Sequence, residues 1–188
     1  MAFITPMEII DIIIMTFAIG YIFSGFFKRT PHEGYDPIKY FSKSLGWENI
    51  KFAAMIAAPA VILHELAHKF VAMSYGAIAV LKAPYLMYAI VIALRAMNFP
   101  LIFFVGGYVA HTPLPALPSA WIALAGPLTN FMIWGLIRLA VKNNVLKKYH
   151  NILVPMGKLN LFLAVFNMLP IPGFDGFHFF QGLFRAFI

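Results

Sequence analysis

Apolar runs separated by short polar segments make up most of the chain. Four runs of spanning length lie at residues 7–27, 52–76, 120–141 and 152–170. Each run approaches the roughly 20 residues that a helix needs to cross the hydrocarbon core of a bilayer. The pattern therefore predicts an all-α polytopic membrane protein, a bundle of about four to six transmembrane helices.

Two further stretches are apolar but do not look like simple spans. Residues 84–109 are interrupted by Arg95, Pro100 and the pair Gly106-Gly107, so we expect a fifth span, a re-entrant pair or a small membrane-associated β element. The final run, which starts at residue 177, has 12 residues and is too short to cross alone. We expect it to lie along the membrane interface.

The polar connections contain prolines. Residues 28–51 form the longest polar loop, with prolines, glycine and mixed charges. Residues 111–120 are proline-rich, and we expect them to be extended rather than helical. The sequence contains no internal repeat, which indicates a single membrane-embedded domain over residues 1–188.

The composition agrees with a membrane protein. Hydrophobic residues make up 62% of the chain and charged residues only 11%, whereas soluble domains have about 25% charged residues. The net charge of +7 comes from basic residues that lie mostly in short loops at the ends of apolar runs, where they would contact lipid headgroups. We therefore expect the lipid bilayer, and no nucleic acid, as a partner. The absence of cysteine excludes disulfides and cysteine-ligated zinc.

Three ionisable residues stand inside one apolar run. The segment "AAPAVILHELAHKFVAMSYG" carries His64, Glu65 and His68, although a charged residue at the centre of a span costs roughly 2.5–3.5 kcal/mol. Residues four apart share one face of a helix, so both imidazoles point toward one place with the glutamate beside them. This is the HExxH arrangement of zinc hydrolases, in which the glutamate is the general base. Ionisable residues within a span usually serve function, so metal binding is the favoured interpretation.

A catalytic zinc takes three protein ligands and keeps one position open. No glutamate follows Glu65, which excludes a downstream glutamate ligand, and Ser74 occupies the position where a third histidine would follow His68. The remaining candidates for the third ligand are Asp175, His111, His150 and His178.

Asp175 is the strongest of these candidates. It follows a stretch rich in proline and glycine that breaks a helix, and irregular backbone at membrane depth is tolerated only when it is buried in protein or lines a wet cavity. The predicted crossings also place Asp175 on the same side of the membrane as the histidines. His178 could compete for the metal, whereas His111 and His150 are expected to be loop or interface residues.

Three motifs in order resemble a known family. HELAH at 64–68, "AGPLTN" at 125–130 and "NMLPIPGFDG" at 167–176 resemble the intramembrane metalloproteases of the site-2 protease family. Phe174 stands where that family usually has leucine. The resemblance implies a zinc metalloendopeptidase that cleaves a transmembrane protein substrate within or near its transmembrane helix, in regulated intramembrane proteolysis.

The resemblance also implies roles for particular residues. His64, His68 and Asp175 would hold one zinc ion, and Glu65 would be the general base. Asn130 would lie near the substrate or the developing oxyanion, or would tie helices together, and Asn167 has the same two possible roles.

The predicted spans and the resemblance together divide the chain into three parts, and the resemblance further implies how the substrate is held. Residues 1–51 would form a first transmembrane helix and loop, 52–178 the catalytic core and 179–188 the start of a C-terminal segment. The stretch 102–110 would offer a strand edge to an unwound substrate.

Two signals disagree on orientation. Residues 28–51 and 138–150 carry five and four Lys or Arg residues, against two in 77–118, so the positive-inside rule places the 28–51 side in the cytoplasm. The resemblance implies the reverse for an integral multi-pass protein of the cell membrane. Alternative interpretations of the chain are a membrane metal-ion transporter and an inactive protease-like scaffold. The sequence indicates no particular oligomeric state.

Overall fold

The computed structural model describes residues 3–27, 46–97, 99 and 106–188. These residues form six α-helices, one short 3₁₀ helix at Lys147–Tyr149 and two β-strands. In chain order the elements are α1 (Pro6–Phe23), α2 (Trp47–Ser74), β1 (Ala79–Lys82), α3 (Tyr85–Ala96), β2 (Tyr108–His111), α4 (Ala116–Lys142), α5 (His150–Asn167) and α6 (Asp175–Phe187). The predicted all-α polytopic class, with a small β element, is confirmed.

Three of the described helices, α1, α2 and α4, are long and apolar enough to cross a bilayer. The fourth predicted span, 152–170, is helical in α5, which contains polar residues such as Lys158 and Asn160 and is not among these three helices. Within the described ranges the number of such helices is therefore below the predicted four to six. Asn160 is buried against the neighbouring helices and Lys158 is exposed, and α5 packs beside the spans.

Two predicted boundaries need correction. Helix α2 begins at Trp47, inside the stretch predicted as a loop up to residue 51. Helix α4 begins at Ala116, inside the stretch 111–120 that was expected to be extended. Pro118 lies in the first turn of α4, where backbone N–H groups have no intrahelical partner, so proline is tolerated there.

The irregular stretch 84–109 contains a short helix followed by a strand. Helix α3 has 12 residues, too few to cross a bilayer, and β2 pairs antiparallel with β1. The register pairs Ala79 with His111 and Lys82 with Tyr108. Of the three alternatives, the small β element is therefore present, while residues 102–105 of the predicted strand edge lie outside the described residues.

Helix α2 is packed against α1, α4 and α5. Small residues allow close approach: a Cβ at Gly20 would lie 2.8 Å from the Cβ of Ala54, so α1 and α2 are in contact at this point. Large side chains fill the rest of the core, and the most deeply buried include Met15, Ile19, Ile56, Val61 and Leu163.

A buried ion pair joins three elements at the metal-binding end of α2. Glu8 of α1 pairs with Lys69 of α2, and both side chains are almost fully buried. The Glu8 carboxylate also accepts the backbone N–H of Leu81 in β1 at 2.7 Å and closes a capping box with Thr5. Sequence reasoning did not predict this pair. It fixes the N-terminal end of α1 and strand β1 to the helix that carries HELAH.

The C-terminal run forms α6, which packs along α4 instead of extending as a span. A Cβ at Gly182 would lie 2.9 Å from the carbonyl oxygen of Ala116, so the two helices are in close contact. Phe180, Phe184 and Phe187 are exposed on the outer surface of α6. The packing of α6 on α4 places its first residue, Asp175, inside the bundle.

Candidate metal centre

The side chains of His64, His68 and Asp175 converge. The two histidine Nε2 atoms are 3.1 Å apart, and the Asp175 Oδ2 atom lies 3.0 Å from His64 Nε2 and 3.4 Å from His68 Nε2. A tetrahedral zinc ion with bonds of about 2.0–2.1 Å separates its ligand atoms by about 3.3 Å. The three atoms are thus already spaced as the ligands of one zinc ion.

The other ring nitrogen of each histidine, Nδ1, faces a carbonyl oxygen, which can only accept a hydrogen bond. His64 Nδ1 lies 2.6 Å from the Asn130 Oδ1 atom, and His68 Nδ1 lies 2.7 Å from the backbone carbonyl of Ile122. Each Nδ1 must therefore carry the proton and donate it. This leaves both Nε2 lone pairs free and directed at the shared point, as in the outer shell of known zinc sites.

Asn130 has every polar atom of its side chain engaged. Its Nδ2 donates to the carbonyl of Ala60 at 3.0 Å and to the Oδ1 atom of Asn160 at 2.8 Å, while its Oδ1 accepts from His64. Of the two roles expected for Asn130, this geometry favours helix tying over an oxyanion contact. It adds a third role, because Asn130 sets the orientation and tautomer of the His64 ring.

Asn160 extends this network, and sequence reasoning missed it. It is completely buried in α5 and donates to the carbonyl of Met156 at 2.9 Å. An amide within an apolar run was a detectable signal, because polar side chains in such runs hydrogen bond across helices.

Asp175 is placed by the turn that leads into α6. A Cβ at Gly176 would lie 2.7 Å from the carbonyl oxygen of Leu169, so the chain can fold back on the end of α5 only with glycine here. The Asp175 carboxylate thereby lies beside the Nε2 atoms of His64 and His68. A carboxylate must be ionised to bind a metal, and a cation bound here would itself favour that form.

Two glycines keep the surroundings of the three ligands open. A Cβ at Gly126 would lie 2.6 Å from His64 Nε2, in the space where an ion would sit. A Cβ at Gly107 would lie 3.1 Å from the Cγ atom of Glu65, whose buried carboxylate faces the backbone N–H of Gly107. The glycine of the Gly-Pro-x-x-Asn motif thus preserves room for the metal.

A cavity of about 460 Å³ opens beside these residues. Its lining joins the centre to strand β2 and to the start of α6, and includes Glu65, His68, Asp175, Gly107, Tyr108, Val109, His111, Ser119 and His178. Glu65 and two of the ligands therefore share one space with the strand.

The other candidate residues lie outside the group of three ligands. His111 and His178 line the cavity, whereas the Nε2 atom of His150 contacts the Val145 carbonyl at the start of α5. Asn167 is the last residue of α5 and makes no side-chain hydrogen bond with the described part of the chain.

Comparison with known proteins agrees with this centre. Over 175 residues the chain is 33% identical to a Methanocaldococcus jannaschii protein named "Putative zinc metalloprotease MJ0611", and the alignment covers 90% of this chain and 81% of that protein. The chain belongs to this zinc metalloprotease family. It is also 28% identical over 142 residues to the Bacillus subtilis protein named "Putative zinc metalloprotease YwhC", covering 64% of each. No family model and no solved structure gives a significant match.

The donor set suits the metal of a zinc metalloprotease. Two imidazole nitrogens and one carboxylate oxygen are ligands that catalytic zinc sites use, with a fourth position left for water or substrate. The open cavity is lined by two of the three ligand residues, His68 and Asp175, and by Glu65.

Proposed function

We propose that this metalloprotease acts within the membrane, as a site-2 protease type of enzyme that cleaves a transmembrane protein substrate within or near its membrane-spanning helix. One observation carries the proposal. The two Nε2 atoms and the Asp175 Oδ2 atom lie within bonding range of one ion, and the helix that carries both histidines, α2, is long and apolar enough to cross a bilayer.

The proposed roles follow from the geometry of the chain's own residues. His64, His68 and Asp175 would hold one zinc ion, which when bound would supply a water of lowered pKa and polarise the substrate carbonyl. Glu65 lines the same cavity and takes the proton of the attacking water. It then returns that proton to the leaving amine. Asn130 keeps the His64 ring oriented throughout.

Strand β2 is the proposed docking edge for substrate. A helical substrate hides its peptide bonds, so it must unwind before hydrolysis. Tyr108 and Val109 line the cavity, and among the described strands β2 pairs only with β1, on one side. An unwound segment that adds as a further strand would pass in front of Glu65 with its backbone held by hydrogen bonds. The protein would then be an integral multi-pass protein, and we propose the cell membrane as its location.

Glu65→Gln and Asp175→Asn test the proposal together. The purified variants and parent are reconstituted in liposomes with membrane-spanning reporter substrates, and both zinc content and cleavage are measured. We expect Glu65→Gln to keep about one zinc per chain and to lose cleavage by several orders of magnitude, because it removes only the base. Asp175→Asn should lose zinc and cleavage together.

Two results would contradict the proposal. Undiminished cleavage by Glu65→Gln would remove the base from the mechanism. Zinc movement across the liposome membrane that persists in Glu65→Gln, with no cleavage by the parent, would support a transporter instead.

A further inference from the structure

The structure contains a second polar feature far from the metal centre. We propose that the groove between α4 and α5 binds the headgroup of an anionic lipid. The groove has a volume of about 400 Å³ and is lined by Trp134, Ile137, Arg138, Val141, Lys142, Val154, Gly157 and Lys158. Three cationic side chains thus surround a space whose other walls are mostly apolar.

The three cations come from both walls of the groove. Arg138 and Lys142 lie one turn apart on α4, and Lys158 faces them from α5. Gly157 brings the walls together, because a Cβ there would lie 3.0 Å from the Cγ2 atom of Ile137. The guanidinium of Arg138 lies 5.4 Å from the centre of the Trp134 ring, which holds it beside the groove.

The chain offers these cations little negative charge in return. No acidic residue occurs between Glu65 and Asp175, a stretch that includes all of α4 and α5. Within the described residues, none of the three forms an ion pair. Lys158 lies eight residues after the start of α5, or about 12 Å along the helix. The Lys158 side chain is exposed, and a cation exposed to a bilayer is costly unless an anion or a lipid headgroup reaches it.

An anionic phospholipid fits this surface better than a soluble anion does. Its phosphate would lie among Arg138, Lys142 and Lys158, and its acyl chain would continue along Val154 and Trp134. Arg138 is 12 residues from Gly126 on α4, so the groove lies about 18 Å along the helix from the metal centre. The lipid would therefore bind the enzyme away from the chemistry.

The test uses Trp134 as a reporter. The chain has 3 tryptophans, and replacing Trp47 and Trp121 with phenylalanine leaves Trp134 as the only one. The protein is placed in nanodiscs of phosphatidylcholine and phosphatidylglycerol, with either lipid brominated, and quenching of Trp134 gives its preference for the anionic lipid. Two variants of equal charge change are compared: Lys142→Gln with Lys158→Gln in the groove, and Lys147→Gln with Lys148→Gln at the same end outside the groove.

We expect the parent to prefer the anionic lipid and the groove variant to lose this preference by about fivefold per cation removed. The control variant should stay within about twofold of the parent, and inorganic phosphate at matched ionic strength should not change the preference. Equal losses in both variants, or no preference in the parent, would overturn the assignment. Displacement by inorganic phosphate would also overturn it, in favour of a soluble anion. Unchanged zinc content in each variant verifies that the fold is intact.

Discussion

Replacing Gly126 with alanine tests the metal centre through one added methyl group. The new Cβ would lie 2.6 Å from His64 Nε2, whereas ordinary contacts begin near 3.4 Å, so something must move by about 0.8 Å. Metal–ligand distances tolerate only about 0.2 Å, so a shift of this size removes an Nε2 atom from the ion's coordination sphere. We expect zinc affinity to fall by roughly 100-fold or more and cleavage to fall with it.

The same helix supplies the matched control. Gly135 also lies in α4, and a Cβ there meets no atom within 4 Å. Alanine favours a helix over glycine by up to about 1 kcal/mol, so neither substitution should weaken α4 itself. Zinc affinity is measured by competition with a chelating dye, and cleavage on the same samples. If Gly126→Ala binds zinc and cleaves as well as Gly135→Ala, the ion does not sit where the three ligand atoms converge.

The remaining predictions concern the residues around the centre. Asn130→Ala should lower zinc affinity by about 10- to 100-fold in the chelator assay. Asn160→Ala should lower it by less, because only Asn130 contacts a ligand residue. A larger loss of zinc affinity in Asn160→Ala than in Asn130→Ala would refute this network. Glu8→Gln should destabilise the protein by about 3–5 kcal/mol in thermal unfolding, since it leaves the Lys69 charge buried, and Lys69→Met in the same chain should restore much of the loss. Val109→Pro should abolish cleavage while Val109→Ala does not, with zinc unchanged in both; full activity of the proline variant would exclude β2 as the docking strand.

Much of the candidate centre could be predicted because the spacing of its histidines and the scarcity of acidic residues are both visible in the sequence. The interval of four between His64 and His68 fixes one helix face, whatever the rest of the fold does. Asp175 could be singled out because no other acidic residue follows Glu65. The structure brings these side chains together, and the assignment of their roles stays with the proposal above.

The supporting contacts could not be predicted, because they depend on which helices become neighbours. The hydrogen bond between Asn130 and Asn160 joins α4 to α5, and the pair of Glu8 with Lys69 joins α1 to α2 across 61 positions. No local pattern fixes such distant pairings. Helix α5 shows the same limit, because Asn160 lowers the hydropathy of this helix and its hydrogen bond to Asn130 is visible only once the helices are packed.

The polar residues of α2 show how a functional site can be distinguished from a purely structural contact. Ionisable residues inside a span usually indicate function, yet His68 and Lys69 are adjacent and face different neighbours. Lys69 meets Glu8, and their charges cancel within the chain. The cavity beside His68 instead contains two carboxylates, Glu65 and Asp175, and no lysine or arginine lines it. The site therefore offers a divalent cation carboxylate and imidazole groups with no lysine or arginine to compete, and this combination indicates a metal site more specifically than burial does.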